Sequence, residues 1–186
     1  MIPKTLVRTS GVIIVAGIIS AVLGSIVLLI LYYGARQAFI NEFAEVTEAS
    51  RYTDILERNW HHSGLTQQFP TSIPSNATDV HFSYIPGLAQ GGSRIKLRLG
   101  LPPEQIAKAL TEYRAKAIHQ FHSGERKAPT NSPEDVPVGA FPDTFEILVL
   151  IAEPLGHPEL IWNHGVSSGV AIDNQNSEIV YWASEW

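Results

Sequence analysis

The chain has 186 residues, room for one domain plus a short extra element, and its formal net charge is −5. It contains no cysteine, which excludes disulfides, thiolate catalysis and zinc–thiolate sites. All 18 acidic residues but only 11 of the 13 basic ones follow residue 33, leaving that part at −7; such a balance argues against a nucleic-acid partner and against a domain lying flat on anionic lipid.

Residues 1–10 form a short tail whose charged side chains are Lys4 and Arg8. From Gly11 to Tyr33 run 23 uncharged residues rich in Ile, Val and Leu. A helix crossing the roughly 30 Å hydrocarbon layer needs about 20 such residues, so 11–33 reads as a transmembrane helix in a lipid bilayer. Tyr32 and Tyr33 fall where an aromatic belt meets the headgroups. The alternative is a cleaved signal peptide, whose apolar core is normally about 7–15 residues; Tyr33 to Ala38 also matches a small-x-small cleavage site poorly. With Lys4 and Arg8 before the span, and Glu42, Glu45 and Glu48 after it, the positive-inside rule orients the chain in the cell membrane. The expectation is a cytoplasmic N-terminus and an extracytoplasmic C-terminal domain. Gly17, Ala21 and Gly24 make a small-residue stripe along which another membrane helix can pack, although small residues are common in membrane helices generally.

Residues 34–64 read as a juxtamembrane helix: Phe39, Phe43, Val46, Ala49, Thr53, Leu56 and Trp60 recur at three- and four-residue steps, and His61-His62-Ser63-Gly64 stops it. The soluble domain then spans 65–186. After a proline-rich connector come two strands, Asp79–Ile85 and Ser93–Leu99. Val80, Phe82 and Tyr84 share one face of the first; Ile95, Leu97 and Leu99 alternate with Arg94, Lys96 and Arg98 in the second, so the sheet has a dry and a wet side. Pro102-Pro103-Glu104 opens a helix lined by Ile106, Leu110, Tyr113, Ala117 and Phe121, with Gly124 as its stop. Lys127 to Asp143 has no periodicity and reads as a long loop or flap. Phe145–Ile151 is a central strand, and Ser168–Ile172 and Glu178–Ala183 form a closing hairpin across Asp173–Asn176. The expected class is α+β: a transmembrane helix followed by an antiparallel sheet packed with one or two helices.

Several motifs invite a chemical reading. Gly165-Val166-Ser167-Ser168-Gly169 spells G-x-S-x-G, but a nucleophile elbow needs a helix after the serine, whereas Val170-Ala171-Ile172 is strand-like and no histidine follows. His119 and His122, placed off the apolar stripe of a helix, lack the acid of a metal motif and read as a solvated pair. Gln90-Gly91-Gly92 lacks the ending of a phosphate loop and suits a hairpin turn. Trp162, Tyr181, Trp182 and Trp186 cluster near the end as core material. Arg94, Lys96 and Arg98, with His81 and Ser83 beside them, make a candidate anion-binding face. Between Arg94 and Lys127 lie eight basic residues against three acids, while Ala128 to Trp186 holds nine acids and no Lys or Arg, so cross-strand ion pairing between these halves is the structural alternative.

The segments FPTSIPSNATDVHFSYIPGLAQGGSRIKLRLGLPPEQI and GVSSGVAIDNQNSEIVYWASEW resemble those of small membrane-anchored or lipoprotein-like bacterial proteins. The likeness implies a bacterial envelope setting and transfers no catalytic or binding residue. No motif calls for a cofactor or a resident metal, and no enzyme class is indicated. The expectation is a single-pass accessory protein that contacts the bilayer and other membrane proteins, the alternative a membrane-tethered domain binding a small or anionic ligand.

Overall fold

The computed structural model describes residues 22–40, 43–60, 64–87, 92–123, 141–154 and 165–185. The chain divides into two units, 1–44 and 45–186.

In the first unit, α1 (Val22–Ile40) is 19 residues long with a mean hydropathy of 1.5, and none of it is buried. At 1.5 Å per residue it measures about 28 Å, long and apolar enough to cross a membrane. The helix continues past Tyr33, as the helical pattern after the span implies. It runs on through Gly34, Arg36 and Gln37 to Ile40, because no residue there breaks the helical hydrogen bonding. Residues 11–21, the first half of the expected span, lie outside the described residues.

The expected continuous helix over 35–60, which runs from the first unit into the second, is corrected. Phe43 and Ala44 form a turn, and Val46 bridges to Tyr84: its N–H donates to the Tyr84 carbonyl at 2.8 Å, and the Tyr84 N–H donates back at 2.9 Å. Sheet pairing by a β-branched residue wins over local helical periodicity at this point. A 3₁₀ turn (Ala49–Arg51) then leads into α2 (Tyr52–Asn59). The buried residues of α2 are Tyr52 and Ile55, while Thr53, placed on the expected stripe, is exposed. Trp60 is buried and caps α2, so the helix stops four residues before Gly64, which adopts φ +68°, a left-handed conformation that suits glycine.

The remaining elements are β1 (Thr78–Ile85), β2 (Ser93–Gly100), α3 (Pro103–Lys116), β3 (His119–His122), β4 (Glu146–Pro154), β5 (Gly165–Asp173) and β6 (Glu178–Glu185). They build one antiparallel six-stranded sheet in the order β1-β2-β6-β5-β4-β3, so the domain is α+β as its patterning implies. Helix α3 begins where Pro102 and Glu104 place it, but it stops at Lys116. Ala117 is already extended (ψ 131°), and the Ile118 N–H donates to the Val149 carbonyl at 2.8 Å. Phe121 therefore sits on a strand rather than on a helix stripe.

Alternation along the strands makes two hydrophobic clusters, one per face. The larger joins Phe82, Ile95, Leu97, Leu99, Leu148 and Ile172 to Tyr52, Trp60 and Ile106 of the covering elements. The smaller, on the opposite face, holds Phe121, Phe145, Ile147, Val149, Val180 and Trp182. Strand β4 is buried on both sides, as its unbroken apolar run requires. The β5–β6 hairpin is closed by Asp173, whose carboxylate accepts from Thr144 Oγ1 at 2.6 Å, from the backbone N–H groups of Gln175 and Asn176, and from Asn176 Nδ2.

Candidate functional site

The face opposite the main core carries the basic ladder. The β1–β2 register sets His81 opposite Arg98 and Ser83 opposite Lys96, so four of the five residues expected to lie together do so, while Arg94, opposite Ile85, does not line the same concavity. In the next strand, Arg94 faces Ser184, Lys96 faces Trp182 and Arg98 faces Val180. His81, Ser83, Lys96 and Arg98, with Phe82 and Glu45, line a shallow concavity of about 270 Å³.

Its electrostatics are mixed. Arg98 Nη2 donates to both oxygens of Glu178 at 2.7 Å, which spends most of that cation on a neighbour. Ser83 Oγ donates to Glu45 Oε1 at 2.6 Å, placing a carboxylate at the rim. Lys96 Nζ stands 5.8 Å from the centroid of the Phe141 ring and, among the described residues, has no carboxylate within ion-pair distance. The basic and acidic halves of the domain also meet at Arg114, whose Nε and Nη2 donate to the two oxygens of the buried Glu146 at 2.8 and 2.5 Å. Cross-strand and helix–strand pairing thus accounts for Arg98 and Arg114, and Lys96 is the centre of what remains.

Two larger depressions lie elsewhere. One of about 360 Å³ is lined by Gln68, Glu112, Tyr113, Lys116 and Ile151. Its charges are spent: Lys116 Nζ meets Glu112 at 2.6 Å, and Tyr113 Oη donates to the Gln68 carbonyl at 3.0 Å. Burial, followed by the Glu112 charge, pushes the Tyr113 phenol up to about 12. The other, of about 390 Å³, is bounded by Leu56, Glu57, Thr66 and Phe69 and brings no such cluster together.

The G-x-S-x-G sequence lies wholly within β5, with Ser167 and Ser168 at 2% and 0% exposure. Its second glycine serves the indole of Trp182, the residue opposite it in β6: a Cβ on Gly169 would stand 2.7 Å from Trp182 Cζ2 and would collide with the Leu148 carbonyl oxygen. His119 and His122 are corrected from a helix to a strand, where an odd separation sends their side chains to opposite faces, so they do not converge on one ion. Among the described residues, no group of three or more His, Asp or Glu side chains is arranged to hold a metal. On α1, Gly24 has open space around it, while Gly17 and Ala21 lie outside the described residues. The same holds for Gln90 and Gly91, for His61 and His62, for Trp162 and Trp186, and for the 127–143 loop up to Ala140.

Sequence reasoning overlooked Glu45, Glu178 and Phe141. Glu178 was visible as the first residue of a strand but its partner depended on the β2–β6 pairing, and Glu45 was assigned to a helix that does not exist there. Family models, curated proteins and solved structures were compared with the chain, and none matches it.

Proposed function

We propose that this is a single-pass membrane protein whose apolar helix tethers an α+β domain, and that the tethered domain acts as an accessory module contacting other proteins of a bacterial membrane or envelope. The observation that carries the reading is α1: Leu28, Ile30 and Leu31 are exposed by 68%, 65% and 63%, and the helix buries nothing in its own chain. An exposed apolar surface of that extent calls for lipid or a partner, each large aliphatic side chain gaining about 1.5–3 kcal/mol on leaving water. The two basic residues before the span support a cytoplasmic N-terminus in the cell membrane, with the domain outside. The small residues Gly17, Ala21 and Gly24 support a helix–helix contact with another membrane protein.

Orientation has a clean test, since the chain has no cysteine of its own. Asn174→Cys, on the exposed β5–β6 turn, is labelled by a membrane-impermeant maleimide in intact cells if the domain is outside. Labelling only after permeabilisation contradicts it. The partner reading is tested by replacing Gly17, Ala21 and Gly24 with Leu. The set of proteins co-purifying in mild detergent should shrink, and an unchanged set argues against the contact.

A second reading, a tethered domain that binds a small anion, is favoured by the concavity that gathers His81, Ser83, Lys96 and Arg98. Saturable stabilisation by an oxyanion at constant ionic strength, lost in Lys96→Ala, is its signature.

A further inference from the structure

We infer that the anion site does not stop at the β1–β2 concavity but continues inward to the middle of the sheet, where the Trp182 indole N–H and the Ser184 and Ser167 hydroxyls, with Lys96 beside them, donate to a small oxyanion, a carboxylate or a phosphate. This deepens the second reading and rests on it.

Three facts converge. Trp182 Nε1, Ser184 Oγ and Ser167 Oγ are all buried, in residues exposed by 5%, 5% and 2%, and none has a hydrogen-bond partner among the described residues. Buried polar atoms left without partners are rare in folded proteins, so several on one patch mark an unmet demand. The patch is also continuous. Ser184 lies opposite Ser167 on one side and opposite Arg94 on the other, while Trp182 lies opposite Gly169 and Lys96. Alternation places these side chains on one face, in two adjacent cross-strand rows. Ser168 Oγ is unpartnered too, but it points to the other face and stands apart from the group.

The chemistry of the patch is one-sided. An indole N–H and an ammonium only donate, and a hydroxyl is able to donate. The two rows run Ile85, Arg94, Ser184, Ser167, Ala152 and Ser83, Lys96, Trp182, Gly169, Val149, and neither contains an acid. Two carboxylates on this face are already engaged, Glu45 by Ser83 and Glu178 by Arg98. Three buried donors without partners, with the Lys96 ammonium beside them, suit a ligand rich in acceptors and poor in donors, which is an oxyanion. Gly169 contributes by lacking a side chain, which leaves room for the Trp182 indole against β5.

The test uses the full chain in detergent micelles with its tryptophans labelled by ¹⁵N at Nε1. Trp182→Phe keeps an aromatic ring but removes the N–H, and so assigns the Trp182 cross-peak. Sodium phosphate and sodium succinate are titrated separately at ionic strength held constant with chloride, and melting temperature is followed in parallel. The proposal predicts that the Trp182 cross-peak moves saturably with at least one of the two anions, the arms telling phosphate from carboxylate, and that Lys96→Ala weakens the effect at least tenfold. A Lys96-dependent rise in melting temperature with a stationary Trp182 peak overturns the inward extension while the rim reading stands. No saturable effect of either anion, on peak or melting temperature, overturns both and leaves internal water as the partner of these groups.

Discussion

Replacing Gly169 with alanine should destabilise the domain, although alanine is ordinarily the better residue in a strand. The new methyl would lie 2.7 Å from Trp182 Cζ2 and 3.1 Å from Cε2, against the roughly 3.5–4.0 Å at which carbon atoms rest. The indole would have to withdraw by about 1 Å, yet Trp182 is 5% exposed and packed with Phe145, Val149 and Val180. The second obstacle, the Leu148 carbonyl oxygen, belongs to the paired backbone of β4 and does not swing aside. Overpacking of this kind costs about 1–3 kcal/mol, with the backbone clash favouring the upper part of that range; relief of glycine's flexibility returns about 0.5–1 kcal/mol. The net loss of about 1–2 kcal/mol corresponds to a fall in melting temperature of roughly 3–8 °C, read by circular dichroism on the full chain in micelles. In a Trp182→Phe background the same substitution should cost less by at least about 0.5 kcal/mol, because the smaller ring leaves room. A Gly169→Ala protein that melts at or above the parent temperature, or a loss not reduced in the Trp182→Phe background, would refute the packing argument.

Further outcomes follow from the same geometry. Ser168→Ala removes a fully buried hydroxyl with no partner, so the melting temperature should stay within about 2 °C or rise, where loss of an ordinary buried hydrogen bond would lower it. Burial alone would raise the Asp173 carboxyl, but hydrogen bonds from Thr144, Asn176 and Gln175 outweigh it and hold the group below its ordinary 3.8. Its contribution is therefore complete above the unfolded value of about 3.9 and is lost as pH falls through the lower folded one; Asp173→Asn should flatten the acid limb of a stability–pH curve, and an unchanged limb would contradict this. Tyr113 behaves in the opposite sense: its unfolded phenol ionises near pH 10 while the folded one holds its proton to about 12, so stability should decline between those values, and Tyr113→Phe should reduce the slope.

How much of this was legible before the fold was known depended on whether the signal was local. The alternation of Ile95, Leu97 and Leu99 with Arg94, Lys96 and Arg98 reports directly which way each side chain points, and β2 has that arrangement. The Asp173–Asn176 turn and the proline-opened α3 are equally local. Misreadings arose where distant strands recruited residues with a helical rhythm. Val46 is taken by Tyr84, and Phe121 is taken by β4, although each fits a three- to four-residue stripe. The candidate site was half visible for the same reason. His81, Ser83, Lys96 and Arg98 follow from one hairpin, whereas Glu178, Trp182, Ser184 and Ser167 join only through the β2–β6 pairing of residues some eighty positions apart.

The most direct trial of the account is the intact mass of the protein that stays with membranes after washing in alkaline carbonate. Retention of the chain with residues 22–40 attached agrees with a helix held by lipid. Release into the wash, or a retained species beginning near Gln37, would show that these residues are not the anchor.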